Sequence, residues 1–363
     1  MIDTIHALSV DFDNCLTGDW SKWKLGNKPN YEKYSENVEE QNQQKQEEED
    51  WFIAGVIHEN GPIFRHIEND YVDGASKKEL KVIKKICLMG TLRKGILEDY
   101  MNRVPYKKEK SFGVSCFPVF KAFFHEASKR SMSVCSIPCV FDTTLLSDIY
   151  CDKEPGESYD NALKNYRDFK VSSTVREFSR AVPESSKVDL LYMQFHKIAS
   201  EHPNAEIIFD FIDDQEDILD ALQPFFFDNS DLVPSNVTLR FYQYKAGDEA
   251  ITLFKNEIKG RGGILSIEII KENVKTMAMI AMVKDDISKC FQAHRLNIIK
   301  VFKQCSEKLN KFKQKHIELC EKIKSITSES LTSCTNLFWK SANSQPEEES
   351  TTLTPQTKSH LLL

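Results

Sequence analysis

Short apolar runs alternate with segments of helical periodicity along the first part of the chain. Residues 4–12 form a mostly apolar run of the kind that makes a buried parallel strand. Similar runs at residues 82–89, 205–213 and 237–244 predict three more strands. Residues 186–200 instead place apolar side chains at the three- and four-residue spacing of a helix. This alternation predicts an α/β fold with a mainly parallel sheet.

Two later segments have a different pattern. From residue 298 to residue 326, apolar positions are separated alternately by four and three residues, and neither Gly nor Pro interrupts this heptad seam. We therefore divide the chain into an α/β domain over residues 1–265 and a helical arm over residues 266–330. Residues 341–363 are polar and rich in Pro, Ser and Thr, which predicts a disordered tail.

The arm contains nine Lys or Arg and three Glu between residues 295 and 324, so it is locally basic. Three uses of residues 286–326 remain open. The helix can pack on a neighbour such as residues 267–284, with its lysines in water. It can pair with a partner protein as a coiled coil, or it can bind an anionic membrane.

Residues 35–50 are rich in Glu and Gln and almost free of apolar side chains. Low hydrophobicity gives such a segment little to bury in a core. We therefore predict a low-complexity, solvated insert that is disordered or loosely helical.

Composition narrows the class of protein. The chain has 363 residues, of which 40% are hydrophobic and 28% charged, an ordinary balance for a globular protein. A net charge of −7 argues against a nucleic-acid partner, which would favour a basic excess. No run approaches the roughly 18 apolar residues of a membrane-spanning helix. The N-terminus lacks the basic and apolar regions of a secretory signal peptide.

The ten cysteines are scattered, often within apolar runs, which predicts reduced and buried thiols rather than a disulfide framework. Cys135 and Cys139 form a C-x3-C pair without a second pair nearby, so zinc binding is poorly supported. On its predicted helix, His196 is expected to be a packing or surface residue.

Polar side chains capable of chemistry stand at the ends of the predicted strands. Ligands in open α/β sheets bind at the carboxyl ends of the strands, so these side chains are expected to face one site. The six residues at strand ends or at the start of a helix are Asp11, Asp13, Thr91, Lys187, Asp213 and Asp214.

These residue types suit phosphoryl transfer, which needs a nucleophile, a proton donor and positive charge around the phosphoryl group. Asp11 can attack phosphorus and form an aspartyl-phosphate. Asp13 can act as general acid and then as general base. Thr91 and Lys187 can hold the phosphoryl oxygens.

A cluster of carboxylates is most stable around a divalent cation, and Mg²⁺ prefers oxygen ligands. We predict a Mg²⁺ site formed by Asp11, Asp13 through its backbone carbonyl, and the acidic pair Asp213 and Asp214. Each residue also has a simpler explanation. The acidic pair can cap a helix, Thr91 can do the same, and Lys187 can be a surface lysine.

The same residues resemble the motifs of the haloacid dehalogenase-like (HAD-like) superfamily. Its first motif, D-x-D after a strand, resembles DFDNCL at residues 11–16. Thr91 matches the hydroxyl residue of the second motif, Lys187 the lysine of the third, and residues 213–214 the acidic pair of the fourth. The resemblance implies a Rossmann-type parallel sheet, a Mg²⁺-dependent phosphatase activity and cap-type insertions. Residues 104–180 are the candidate cap, although they can also be additional elements of the fold.

A narrower resemblance links the chain to Legionella-type Dot/Icm type IV secretion effectors that carry a HAD-like domain. It is carried by residues 88–102, 144–159 and 186–219, and by a tail with acidic residues 347–349 and leucines 361–363. The resemblance implies a virulence protein that leaves the bacterial cytoplasm, without a Sec signal peptide, for the host cell cytosol.

Some motif positions depart from these families. Asn14 and Cys15 stand where Gly and Thr or Val are usual, and Gln215 follows the acidic pair where an Arg is usual. Loss of that Arg removes a bidentate phosphate donor, although Arg93 remains. Two functions stay open. One is a Mg²⁺-dependent phosphohydrolase acting on a phosphorylated substrate of unknown class. The other is a catalytically weak or inactive HAD-like fold used as a binding module for a host protein or membrane through the basic helical arm.

Overall fold

A parallel sheet organises the part of the chain that a computed structural model describes: residues 3–18, 35–73, 79–91, 99, 115–167 and 187–288, with side chains as far as Met277. All of these residues belong to one compact unit, residues 1–309. The strands are β1 (Thr4–Val10), β2 (Tyr71–Asp73), β3 (Glu79–Met89), β4 (Cys139–Asp142), β5 (Glu206–Asp213), β6 (Val237–Gln243), β7 (Thr252–Leu253) and β8 (Ile258–Lys259). The helices are α1 (Val38–Glu59), α2 (Gly61–Glu68), α3 (Cys116–Val134), α4 (Leu146–Tyr150), α5 (Glu157–Asn165), α6 (Lys187–Glu201), α7 (Glu216–Asp228) and α8 (Ile267–Ser288), with a 3-10 turn at Ser230–Leu232.

The sheet order is β2-β3-β1-β5-β6-β7, with β4 beside β3 and β8 beside β6. Strands β4, β3, β1, β5 and β6 are parallel, whereas β2, β7 and β8 pair antiparallel at the margins. The predicted α/β class with a mainly parallel sheet is therefore confirmed. Strand β1 is central, and the chain moves away from it first towards β3 and later towards β5. The gap between β1 and β5 is thus a topological switch point.

The two faces of the sheet are covered by different helices. Side chains alternate along a strand, so Leu8 and Val10 of β1 point to one face and Ser9 to the other. On the first face they join one apolar core with helices α1, α2 and α3, including Phe52 and Phe64. On the opposite face, aromatic side chains of α6 and α7 pack on β5 and β6. The result is a three-layer α/β/α arrangement.

Residues 35–50 were expected to be disordered or loosely helical, and the structure makes most of them helix α1. The Asn37 side chain caps this helix by accepting a hydrogen bond from the Glu39 amide at 2.9 Å. The first half of α1 is mostly exposed, whereas Phe52 and Val56 in its second half are buried. The polar segment therefore continues a helix that is anchored by the apolar residues after it.

Residues 104–180 were the candidate cap, and their described part instead contributes to the core of the fold. Strand β4 pairs in parallel with β3, with Cys139 opposite Lys85. Helix α3 connects the two strands and buries most of its apolar side chains against the sheet. For residues 116–142 the cap interpretation is wrong, because a strand that completes the sheet cannot also lie above it.

Helix α8 packs on α6, where Asn273 Nδ2 donates to the Tyr192 hydroxyl at 2.8 Å. The heptad seam and the tail lie outside the described residues, as do the uses proposed for them. None of the helices in the described part of the chain combines the length and apolar character that a membrane crossing requires. The six cysteines described there are free thiols, and Sγ of Cys87 lies 3.4 Å from Sγ of Cys139.

Candidate active site

The site lies at the switch point, where β1 and β5 end side by side. The Asp11 amide donates to the Ile212 carbonyl at 2.9 Å, so the parallel pairing of the two strands continues to the catalytic candidate. Asp213 is the last residue of β5. Asp11 and Asp213 are 4% and 0% exposed. Two carboxylates are thus brought together in an environment that strongly penalises unpaired charge.

Lys187 supplies the opposing charge. It is the first residue of α6 and is 7% exposed. Its Nζ donates to Asp11 Oδ1 at 2.8 Å and also to Asp213 Oδ2. The other oxygen of Asp213, Oδ1, accepts the Gln215 amide at 2.9 Å. The simpler explanation of Lys187 as a surface lysine is wrong, because it is buried and bridges two acids.

The charges of the site shift one another's pKa values. Burial, followed by the fields of Asp213 and Asp13, raises the pKa of Asp11 to about 7 against the opposing effect of Lys187. Burial alone would lower the pKa of Lys187, but the two carboxylates beside it raise that pKa above its ordinary value. Burial and the field of Asp213 raise the pKa of Asp214 to about 6. The Lys187 ammonium and the carboxylates of Asp11 and Asp213 therefore stabilise one another's charged forms.

Asp214 extends the cluster. One oxygen each of Asp11, Asp213 and Asp214 can be chosen so that all three lie within 4.8 Å of one another. Oδ1 of Asp214 is buried and finds no hydrogen-bond partner. Such an atom is costly unless a ligand satisfies it. Three carboxylates against one ammonium leave an excess of negative charge, so this set of oxygens fits a divalent cation such as Mg²⁺.

Thr91 is placed beside Asp11 by a close backbone contact at Gly90. The Gly90 amide donates to the Val10 carbonyl oxygen at 2.7 Å. A Cβ at position 90 would lie 2.7 Å from the carbonyl carbon of Val10 and 2.9 Å from its oxygen. A larger residue would thus push the strand ends apart. Thr91 itself is buried next to this contact.

Asp13 lies in the tight loop that follows β1. The Leu16 amide donates to the Phe12 carbonyl at 3.1 Å, and the Asn14 amide donates to the Thr17 hydroxyl at 3.0 Å. Asn14 has a φ of 55°, a left-handed conformation that Asn adopts more readily than most residues. Its replacement of Gly is therefore compatible with the loop. Asp13 is partly buried, and its field contributes to the raised pKa of Asp11.

The other departures from the motifs are also accommodated. Cys15 is fully buried, and its thiol points to the Ile212 carbonyl at 3.7 Å. Gln215 is the N-cap residue of α7, so the acidic pair precedes that helix rather than capping it. Of the six predicted site residues, Asp11, Lys187, Asp213 and Asp214 form one cluster, whereas Thr91 and Asp13 flank Asp11.

A second polar cluster lies in the core, and no sequence pattern indicates it. The Asp210 carboxylate of β5 accepts from His6 Nε2 at 2.7 Å and from His66 Nε2 at 2.6 Å. Arg240 binds both carboxylate oxygens, with Nε at 2.6 Å and Nη2 at 2.7 Å. His6 and Asp210 are completely buried, and Arg240 almost so. Burial would raise the pKa of Asp210, but the charge of Arg240 and the interactions with His6 hold it well below its ordinary range.

Two histidines and one carboxylate are also a common donor set for a transition metal. Here two features favour a hydrogen-bonded network instead. Arg240 already neutralises the Asp210 carboxylate and would repel a cation. Nδ1 of His6 is buried without a hydrogen-bond partner, whereas metal-bound histidines usually donate from their second nitrogen to an acceptor. We therefore assign a structural role to this cluster.

Two buried histidines predict an acid-sensitive fold. Burial lowers the pKa of His6 to about 4 against the opposing effect of Asp210, and burial lowers the pKa of His196 to about 4 against its hydrogen bond to the Leu232 carbonyl. In the unfolded chain both protonate near pH 6.5. Between pH 6.5 and about 4 the unfolded chain therefore binds more protons, and stability falls as the pH falls. Each histidine contributes about 1.4 kcal/mol per pH unit in this window.

Urea unfolding between pH 7 and pH 4.5 measures this effect. The variant His196→Gln keeps a hydrogen-bonding side chain but cannot titrate, so it should lose about half of the histidine-dependent slope. Equal slopes for the variant and the parent protein would show that folding does not lower the pKa of His196.

The site combines three chemical features in one place. Asp11 offers a carboxylate oxygen at the switch point, where ligands of α/β sheets bind. Lys187 supplies fixed positive charge, and the acidic pair provides cation ligands. Searches against protein-family models, curated proteins and solved structures found no match for the chain.

Proposed function

We propose that the chain is a Mg²⁺-dependent phosphohydrolase that cleaves phosphomonoesters through an aspartyl-phosphate on Asp11. The observation that carries the proposal is the buried Lys187 ammonium, which joins Asp11 and Asp213 at the switch point of the sheet. Next to it, Asp214 keeps a buried oxygen without a partner. A nucleophile, a cation for the phosphoryl oxygens and a set of Mg²⁺ ligands thus share one location.

We also propose that the fold is of the HAD-like type. The D-x-D motif directly follows the central strand β1, and Thr91 follows the neighbouring strand β3. Lys187 begins the helix before β5, and the acidic pair ends that strand. This order of the motif residues, at strand ends and at the start of a helix, supports the proposal.

The proposed reaction has two steps. An oxygen of Asp11 bonds to phosphorus while the bond from phosphorus to the leaving alcohol breaks, and Asp13 donates a proton to that alcohol. Asp13 then accepts a proton from water as the water oxygen bonds to phosphorus and the bond between phosphorus and the Asp11 oxygen breaks, which releases phosphate and regenerates the Asp11 carboxylate. Lys187 favours the ionised form of Asp11 and, with Thr91, holds phosphoryl oxygens.

Mg²⁺ would be held by Asp11, Asp213, Asp214 and the Asp13 carbonyl, and it would supply positive charge against the phosphoryl oxygens. Asp214→Asn removes one negative charge from this set of ligands. It breaks no hydrogen bond at Oδ1 of Asp214, because that atom has no partner. We expect the variant to bind Mg²⁺ at least about tenfold more weakly, which is about 1.4 kcal/mol. Isothermal titration calorimetry with Mg²⁺ measures the difference.

A matched control is Asp220→Asn, which removes a carboxylate that is half exposed on α7. It should leave Mg²⁺ affinity unchanged. Phosphatase activity that persists after EDTA treatment, or equal Mg²⁺ affinities for Asp214→Asn and the parent protein, would contradict the metal assignment.

Export into a host cell, and binding of a host protein or anionic membrane through residues 286–326, stay predictions from the sequence. The tail lies outside the described residues, and so does the arm beyond Ser288. Export concerns where the protein acts, whereas binding through the arm is the alternative function of a catalytically weak or inactive fold.

A further inference from the structure

One buried amide, the side chain of Gln194, contacts two strands whose ends carry predicted site residues. Gln194 lies within α6 and is 1% exposed. Its Oε1 accepts a hydrogen bond from the Ser9 hydroxyl of β1 at 2.7 Å. Its Nε2 donates to the Met89 carbonyl at the end of β3 at 2.8 Å. A single side chain thus fastens α6 to two adjacent strands.

The sequence positions of these contacts relate them to the site. Ser9 precedes Asp11 by two residues, and Met89 precedes Thr91 by two residues, so each contact is about 7 Å of strand away from a site residue. Gln194 follows Lys187 by seven residues, which is two helical turns, or about 10 Å along the same face of α6. The Gln194 amide therefore contacts β1 and β3 a short distance before their site residues, and it lies two turns after Lys187 on α6.

We propose that Gln194 is a positioning residue that sets the rotation and axial height of α6, so that the Lys187 ammonium reaches both Asp11 and Asp213. Its effect on catalysis rests on the proposed function, whereas its effect on Lys187 does not. A sliding or rotating helix would carry Lys187 away from one of its two partners. The two hydrogen bonds oppose both motions, because they hold α6 to β1 and to β3 at the same point.

The chemistry of the amide explains why another side chain would not serve. Gln offers an acceptor to the Ser9 hydroxyl and a donor to the Met89 carbonyl. Glu would place negative charge against the Met89 carbonyl. Met or Leu would fill a similar volume but leave the buried hydroxyl and carbonyl without this partner.

The test compares Gln194→Met with a matched change on the same helix. His196→Gln alters the buried side chain that bonds the Leu232 carbonyl, away from β1 and β3. Two readouts are used. One is the side-chain ammonium signal of Lys187 in full-length protein labelled with ¹⁵N-lysine, identified by its loss in Lys187→Met. The other is the kcat and KM for p-nitrophenyl phosphate with Mg²⁺.

We expect Gln194→Met to shift or broaden the Lys187 signal and to lower kcat about 10- to 100-fold with little change in KM, because misplacement by about 1 Å has effects of this size. His196→Gln should leave the signal and kcat as in the parent protein, whatever its stability. The milder variant Ser9→Ala removes one of the two hydrogen bonds and should have a smaller effect of the same kind. Combined with Gln194→Met it should add nothing, since both changes remove the same contact.

An unchanged Lys187 signal in Gln194→Met overturns the proposal, even if the variant is less stable. Should that variant fail to fold, the same measurement on Ser9→Ala decides, with an unchanged signal again as the negative result. A parent protein that hydrolyses no phosphomonoester would refute the proposed function alone, because the Lys187 signal still reports whether Gln194 positions the lysine.

Discussion

The variant Asp11→Asn is expected to lose phosphomonoester hydrolysis by at least about 10³-fold while keeping its fold. An amide cannot form the aspartyl-phosphate, and the Asp11 carboxylate is the one that Lys187 holds at the carboxyl end of the central strand. The fold should persist because Asn has nearly the same shape. Lys187 also keeps Asp213 as its partner.

The measurement is the steady-state rate with p-nitrophenyl phosphate and Mg²⁺, accompanied by circular dichroism and thermal unfolding. Asp220→Asn serves again as the control, since it makes the same chemical change on the surface of α7 and should keep full activity. Turnover by Asp11→Asn within about tenfold of the parent rate would rule out a covalent role for Asp11.

The second large effect is expected for stability. Asp210→Asn should lower the free energy of unfolding by about 3–5 kcal/mol, because it leaves the buried Arg240 guanidinium without its counter-charge. The amide group of Asn also presents a donor where His6, His66 and Arg240 all donate. This loss is a large part of the free energy of unfolding of a typical domain, so we expect the variant to be only marginally folded.

Urea unfolding followed by circular dichroism measures this loss. The control is Lys255→Ala, which breaks the exposed ion pair of Lys255 with Asp220 and should cost at most about 1 kcal/mol. If Asp210→Asn cost no more than this control, the charge of Arg240 would not depend on Asp210, and the cluster would not be a main support of the sheet.

The sequence allowed the prediction of the elements that carry strong local signals. Strands β1 and β5 are long apolar runs that end in acids, and their pairing at one edge follows from the parallel architecture. The helical pattern correctly predicts Lys187 at the start of a helix. Its contact with both Asp11 and Asp213 follows only when the order of the strands in the sheet is known. Strands β2, β4, β7 and β8 have only two to four residues, too few for a periodic pattern.

The polar residues of the core were harder to foresee. His6 and Asp210 are 204 positions apart, and each lies alone within an apolar strand. Only the arrangement of strands shows that they are partners. Gln194 was equally hard to foresee, because nothing in the sequence around a single amide of a helix indicates which distant residues it contacts. The composition of residues 35–50 predicts disorder or a loose helix, since the apolar residues that anchor α1 come after the polar segment.

The central position of β1 has a consequence for synthesis on the ribosome. Its partner β3 ends at Met89, but its other partner, β5, is complete only at Asp213. At roughly 5–20 residues per second, one edge of β1 waits about 10–40 s for its second neighbour. During that time an apolar strand with unpaired backbone groups is available to other chains. Nascent chains that stall before Asp213 should therefore be the ones that aggregate or recruit chaperones.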